Sequence, residues 1–409
     1  MTERLTLVGA HQRAFRQPSF MRTNEYIHAV LFSHDLYSLE LEMGPNCNLS
    51  CGPCSANCGP HRKGLPDPKT VEKAIGDGLV SGVISGCTLT DGEALREENR
   101  EVMRVVARTS EYLPIHIMTN GVFAGSLESA VDWFNFLKKS GMDFSDKNRH
   151  RHQLCVSFGS SYHVSSANYA NIGRALRKVF PKVDPGKVLT YRLLNMEDIK
   201  DNQRRGNEMD DIIEEVFGKI RRTKHHIRSG ENSKSLLFLE TGTPITIEYQ
   251  KSKPFGRGAN LKFLKEIYPL IEFKPENMFF ESHQGDSVNV FYNGDVTFDC
   301  CGEERARRKS SYGNVNENHL GGIIWKIRSD VFFQGFKLGG TPFVYHIARK
   351  VKPDFRVIGR YEDEVSAAIF GNSSIIGEVR DYLSRRGVVD CYKKFINGQD
   401  LRVWNRQGK

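Results

Sequence analysis

From residue 37 onward, short β-rich runs alternate with longer helical patterns, and this constrains the chain more than any other feature. Strands separated by helices are joined by crossovers and so lie parallel in one sheet. The strand "YSLELEM" opens the series, and Asp67-Pro68 marks the start of a helix running to about Ser81. "GVISGCTLT" reads as a second strand, and "REENREVMRVVARTSEYL" as a helix with acids in its first turn and basic residues later. Strand "IHIMTN", helix "SLESAVDWFNFLKKSG" closed by Gly141, strand "QLCVSFG" and helix "SSANYANIGRALRKVF" continue the pattern. "KVLTYRLLN" is a fifth strand, a charged helix is expected over 209–220, and "PITIEYQ" is a sixth strand. Six βα units predict an α/β fold, a partial (β/α)6 barrel, with chemistry at the carboxyl ends of its strands.

The remainder has a different character. "SVNVFYNGDVTFDC" is two β runs around Asn293-Gly294, a hairpin signal. The expected organisation is an N-terminal extension over 1–36, the barrel over 37–250, a smaller α+β extension over 251–345, and a tail of basic helices and loops over 346–409. No apolar run is long enough to span a membrane and no secretory signal pattern is seen, so a cytoplasmic protein is predicted. The net charge of +9 is scattered, without the aromatic interleaving of a nucleic-acid surface. Its densest run, "KIRRTKHHIR" (219–228), is expected to be a solvated helix end or loop.

Four of the nine cysteines fall within "PNCNLSCGPCSANC", directly after the first strand. In a reducing compartment, clustered cysteines serve as metal or redox groups more often than as disulfides. Cys47, Cys51 and Cys54 form C-x3-C-x2-C, three soft thiolates able to hold three irons of a cubane cluster and leave the fourth open. With Cys58 nearby, a closed four-cysteine cluster or a structural zinc site are the alternatives. Cys87 and Cys155 lie in apolar strands and are expected to be core residues. His163, on a loop, is a secondary candidate for moving protons.

The cysteine spacing after a first barrel strand resembles the radical S-adenosylmethionine (radical SAM) superfamily. "TLTDGEAL" is similar to that family's Gly-Gly-Glu-Pro segment, with Gly92 and Glu93 kept. "MTNG" at the end of the third strand and Ser157 at the end of the fourth also match in position. The resemblance implies a [4Fe-4S] cluster on Cys47, Cys51 and Cys54, and S-adenosylmethionine bound by Pro53, Gly92, Glu93, Asn120 and Ser157. Glu93 would accept from the cofactor's ammonium group. Pro53 stands where relatives commonly carry an aromatic residue against adenine. "KPFGRGA" resembles the segment that leaves the barrel in relatives with a carboxyl-terminal extension.

"NVFYNGDVTFDCCGE" and "YGNVNENHLGGIIWKI" resemble the SPASM or shorter twitch extension, which carries auxiliary clusters. After residue 155 only Cys300, Cys301 and Cys391 remain, with His283 where a further cysteine would stand, so a complete auxiliary cluster is not expected. Cys300 and Cys301 are instead candidate hydrogen donors for an epimerase acting on a sugar or peptide. Strand alternation puts Cys300 with Val296 and Phe298, and Cys301 with Thr297 and Asp299 on the wetter face, which favours Cys301. Expected partners are a small-molecule or peptide substrate and an external one-electron reductant of the flavodoxin or ferredoxin type, with neither nucleic acid nor membrane. A peptide-modifying oxidase with an auxiliary cluster and a non-catalytic iron-sulfur or zinc protein are the competing readings.

Overall fold

The computed structural model describes residues 27, 31, 36–51, 54, 56–145, 152–158, 164–195, 199–229, 232–239, 244–251, 270–275, 278, 287–298, 310–359 and 363–398. Its strands are β1 (Tyr37–Glu42), β2 (Ile84–Thr90), β3 (Ile115–Thr119), β4 (Gln153–Phe158), β5 (Leu189–Asn195), β6 (Ile220–Ser229), β7 (Asn232–Leu239) and β8 (Pro244–Lys251). Five shorter ones follow: β9 (Ile271–Glu272), β10 (Ser287–Val290), β11 (Asp295–Thr297), β12 (Gly313–Asn314) and β13 (Ile358–Gly359). All but β9 and β13 join one open sheet in the order β12-β11-β10-β1-β2-β3-β4-β5-β8-β7-β6. The expected series β1 to β5 and β8 pairs in parallel, and β10 adds a parallel neighbour to β1. This is the α/β arrangement of a partial barrel.

Two helices of the barrel show the local signals that place them. Helix Pro68–Val80 starts on Asp67, whose carboxylate accepts from the Lys69 N–H at 3.2 Å, with Pro68 in the first turn. Its buried residues Val71, Ala74, Ile75 and Gly78 recur at helical spacing. Helix Leu127–Lys139 is capped by Ser126, and Gly141 follows it in the left-handed region. The buried sides of helices Pro68–Val80, Arg100–Thr109, Leu127–Lys139 and Ser166–Val179 share one hydrophobic core with Leu39, Leu41, Leu89, Ile117, Leu154 and Val156.

The strands themselves explain why one face is covered. Parallel strands buried on both sides read as continuous apolar runs. Here β3 alternates Ile115, His116, Ile117, Met118, Thr119, and β4 alternates Gln153, Leu154, Cys155, Val156, Ser157, Phe158, with every second residue only half-buried. Helices therefore pack on one face, and the other carries polar side chains. Cys155 belongs to that polar face, next to Met118 and Thr190, and not to the core as expected, because its neighbours Leu154 and Val156 take the buried positions.

Two further differences come from pairing between segments. "KIRRTKHHIR" is not a helix end or loop: residues 220–228 lie in β6, which pairs antiparallel with β7, itself paired antiparallel with β8. A basic run is at home there, since charges on an edge strand oppose pairing with a foreign strand. The preceding helix spans Ile199–Phe217, starting earlier than the pattern indicated. The Asn293-Gly294 hairpin forms as expected, with Gly294 at φ 90° and the Phe291 N–H bonded to the Asp295 carbonyl at 2.9 Å.

From residue 320 onward the described chain is mainly helical, through the expected extension and into the expected tail: Leu320–Ser329, Val331–Val351, Asp363–Phe370, Ser373–Arg386 and Val388–Asn397. Helix Val331–Val351 runs across residue 346 and bends at Gly340 (φ 60°), two residues before Pro342. Phe298, just past β11, meets the rings of Phe332, Phe333, Phe336 and Phe370 with centroids 4.7 to 6.5 Å away, locking the tail onto the sheet edge. Among the described residues no helix is long and apolar enough to cross a membrane.

Candidate functional site: the cysteine loop and the Glu93 knot

The segment after β1 folds back on itself. Asn46 and Gly59 form a parallel bridge, the Cys47 N–H bonds to the Gly59 carbonyl at 3.2 Å, and the Gly59 N–H bonds to the Pro45 carbonyl at 2.9 Å. The ends of the cysteine segment are thus held together, as in a compact Ω-loop. The Met43 N–H bonds to the Thr90 carbonyl at 2.8 Å, tying the loop's root to the end of β2.

Cys47, Cys51 and Cys58 are buried and Cys54 is half-buried. The Cys58 N–H donates to Cys54 Sγ at 3.3 Å, and the Gly92 N–H donates to Cys58 Sγ at 3.2 Å. Contact with the Cys54 thiol, then burial, raises the Cys58 thiol well above its ordinary value. Burial also raises Cys47. Cys58 is thereby a strut between the loop and the Asp91-Gly92 turn. Both turn residues have positive φ, 56° and 63°. A side chain at Gly92 would place its Cβ 2.3 Å from the Gly44 carbonyl and 2.9 Å from that of Asn46. Gly92 therefore lets the end of β2 lie against the cysteine loop.

Glu93 is 1% exposed. Its carboxylate accepts from Leu95 N–H (2.9 Å), Thr119 Oγ1–H (2.7 Å) and Asn120 N–H (2.7 Å), while its carbonyl accepts from Asn99 Nδ2 (2.8 Å). Burial raises its pKa and the three donors work against that rise. Asn120 completes the knot: its Nδ2 donates to Asn48 Oδ1 at 2.7 Å and stands 3.7 Å from Cys47 Sγ, and its Oδ1 accepts from the Val122 N–H at 3.0 Å. The ends of β2 and β3 and the cysteine loop are one hydrogen-bonded unit.

The sequence reading did not single out Asn46, Asn48, Arg96 or Thr119. Arg96 Nη1 donates to Asn46 Oδ1 at 2.6 Å and so ties the segment after β2 to the cysteine loop. The two asparagines flanking Cys47 were a usable signal, since loop asparagines bond to neighbouring backbone and side chains. Ser157 is half-buried on the polar face of β4, beside Arg192 of β5, and its carbonyl accepts from Tyr169 Oη at 3.1 Å. Cys87 is a core residue whose thiol burial pushes up. Pro53, His163, His283, Cys300 and Cys301 lie outside the described residues.

Among the described residues no three His, Cys, Asp or Glu side chains converge on a single ion position. Thiolates on separate corners of a cubane stand farther apart than ligands of one ion, and the donor set of Cys47, Cys51 and Cys54 on a closed loop fits a cluster in its chemistry.

No protein-family model matches the chain, and no curated protein matches it. Among solved structures it is similar to BtrN in complex with AdoMet and 2-DOIA, at 14% identity and TM-score 0.38, over 75% of this chain and 89% of that one. It is similar to Streptococcus suis SuiB bound to S-adenosylmethionine, at 13% identity and TM-score 0.38, over 76% and 71%. It is also similar to anSMEcpe with bound AdoMet, at 13% identity and TM-score 0.30, over 87% and 100%. These likenesses are too distant to carry an activity or a ligand across.

Proposed function

We propose that the chain is a radical S-adenosylmethionine enzyme. The observation that carries this reading is the closed three-cysteine loop at the carboxyl end of β1, joined to the Glu93–Asn120 knot at the ends of β2 and β3. Cys47, Cys51 and Cys54 would hold a [4Fe-4S] cluster. When bound and reduced by a flavodoxin- or ferredoxin-type donor, that cluster supplies the electron that cleaves S-adenosylmethionine to methionine and a hydrogen-abstracting 5′-deoxyadenosyl radical.

The chain's own residues orient the cofactor. A carboxylate offers about four acceptor positions, so Glu93, with three protein donors, keeps one for the cofactor's ammonium group. Gly92, by letting the end of β2 lie against the cysteine loop, brings the cofactor-binding Glu93 beside that loop, and Pro53 would offer an apolar surface to adenine. Ser157 and Asn120 supply polar contacts at the rim.

Within this reading the reaction is epimerisation of a small molecule or peptide, with Cys301 returning hydrogen. Its S–H bond breaks as the new C–H bond forms, and the external reductant with a proton restores the resulting sulfur radical to thiol. Reaction in deuterium oxide places one deuterium at the inverted carbon, and the Cys300→Ala, Cys301→Ala double variant loses inverted product. Product without deuterium, or full turnover by that variant, rejects the step.

The iron and sulfide content of anaerobically purified protein tests the broader reading. About four irons per chain are expected, and joint replacement of Cys47, Cys51 and Cys54 by Ala removes the iron together with cofactor cleavage. Equal loss on changing Cys58 alone points to a closed four-cysteine site, and a colourless zinc-loaded protein sinks the enzyme.

A further inference from the structure

The side-chain amide of Asn120 has a task for each of its polar atoms. An amide carries two N–H donors on nitrogen and an acceptor oxygen. Oδ1 accepts from the Val122 N–H at 3.0 Å, and Nδ2 donates one hydrogen to Asn48 Oδ1 at 2.7 Å. Turning the amide over would set Nδ2 against the Val122 donor, so the network fixes its orientation. The second Nδ2 hydrogen is left for Cys47 Sγ, 3.7 Å away. Asn120 is 7% exposed and Cys47 6%, so this contact lies out of water, where a hydrogen bond is electrostatically stronger.

What aims the amide is the end of β3 rather than the cysteine loop. The Asn120 N–H is held by Glu93 Oε2 at 2.7 Å, and the next residue, Gly121 at φ 79°, donates its N–H to Thr119 Oγ1 at 3.1 Å. The loop sulfurs are not treated alike. Cys54 Sγ accepts from the backbone N–H of Cys58 at 3.3 Å, whereas Cys47 faces the backbone N–H of Leu49 and, in addition, a side-chain donor from another strand. Backbone donors come with the loop whatever its sequence, but the Asn120 donor depends on one side chain. As a thiol, Cys47 Sγ donates to Asn48 Oδ1 at 3.7 Å. Metal ligation removes that hydrogen, and the Asn120 N–H then faces a negatively charged sulfur, which makes its hydrogen bond a charge-assisted one.

We infer that Asn120 is a positioning residue that acts through Cys47 and raises the reduction potential of the cluster the loop would hold. Reduction adds one negative charge to iron and sulfur, and a fixed N–H aimed at one of the sulfurs favours the more negative state. The electron comes from the external donor, which is oxidised, and the amide keeps both of its hydrogens. The consequence is a cluster that the flavodoxin- or ferredoxin-type donor reduces more readily. The inference rests on the enzyme reading above and deepens it. With both Nδ2 hydrogens committed to Asn48 and Cys47, what Asn120 keeps for S-adenosylmethionine is the second lone pair of Oδ1.

The test is a potentiometric titration of the anaerobically purified full-length protein without S-adenosylmethionine, following the reduced cluster by electron paramagnetic resonance. Asn120→Leu keeps a branched side chain and removes the donor. It should make reduction about tenfold less favourable, which for one electron is a shift of about 59 mV to more negative potential. Asn120→Asp sets a carboxylate in the same place and should shift the potential further in that direction. Asn48→Leu separates donation from architecture: it breaks the Asn120–Asn48 bond and leaves the Asn120 N–H, so the melting temperature should fall while the potential stays at the wild-type value. Where Asn120→Leu fails to hold iron, Asn120→Ala makes the same comparison. An iron-loaded Asn120 variant with the wild-type potential or a higher one overturns the inference, and so does an equal shift from Asn48→Leu, which would assign the effect to loop packing. Iron content keeps the two readings apart. Iron-free wild type overturns the enzyme reading and this inference together, whereas iron-loaded wild type whose potential is indifferent to the Asn120 substitutions overturns this inference alone.

Discussion

On the covered face of the sheet, Val290, Leu41, Leu89, Ile117, Leu154 and Leu189 run side by side across six strands, none more than 2% exposed. One residue earlier on five of the same strands, on the opposite face, stand Asn289, Glu40, Thr88, His116 and Gln153. Both rows use the same backbone hydrogen bonds and the same register. What differs is composition and burial: apolar side chains fully inside the core on one side, and polar side chains, four of the five only half-buried, on the other. Stability is thus concentrated on one face, and the other is free to carry polar groups whose cost the first offsets.

Truncation should expose that asymmetry most strongly. Ile117→Ala leaves a cavity in a row with no room to relax and should cost about 2–5 kcal/mol, whereas Thr88→Ala in the adjacent strand should change stability by less than about 0.5 kcal/mol. Chemical denaturation of the two variants checks this. Comparable losses would mean that both faces are packed alike.

A smaller effect is expected at the rim, where Glu93 is as buried as the core but held by polar contacts. Glu93→Gln replaces an acceptor oxygen by a donor and leaves one of the Leu95, Thr119 or Asn120 donors unmatched, at about 1–3 kcal/mol of stability. In the radical reading it also weakens S-adenosylmethionine binding while iron content is retained. A variant as stable as wild type would show the knot to be loosely coupled to the sheet.

A pH-dependent effect belongs to Asp91. Burial pushes its carboxyl from the ordinary 3.8 up to about 6. Between those values the folded chain keeps a proton that the unfolded chain has released, so stability falls as pH rises through the window and stays lower above it. Asp91→Asn removes that loss, and Asn tolerates the positive φ. Its melting temperature should exceed wild type by more at about pH 7.5 than at about pH 3.5. An advantage independent of pH would show that the Asp91 charge is solvated.

Local chemistry made the frame readable in advance. The βα alternation, the Asp67-Pro68 start, the Gly141 stop and the Asn293-Gly294 turn are each set by a few consecutive residues, and the cysteine spacing placed a loop directly after β1. The sequence by itself determined these because propensity, capping and turn geometry act within one segment. Residues 220–228 show where that stops: their charges read as solvated, and only pairing with β7 makes them a strand. Cys155 reads as a core residue until the register puts Leu154 and Val156 on the buried side. Gly92 is legible only as one residue of "TLTDGEAL", and it takes the fold to close the Gly44 and Asn46 carbonyls against it. The row from Asn289 to Gln153 is the furthest case, since no window of sequence contains it. Parallel pairing across crossovers, with a side-chain period of two, is what brought those five residues to one face, and that register was decided by the tertiary structure alone.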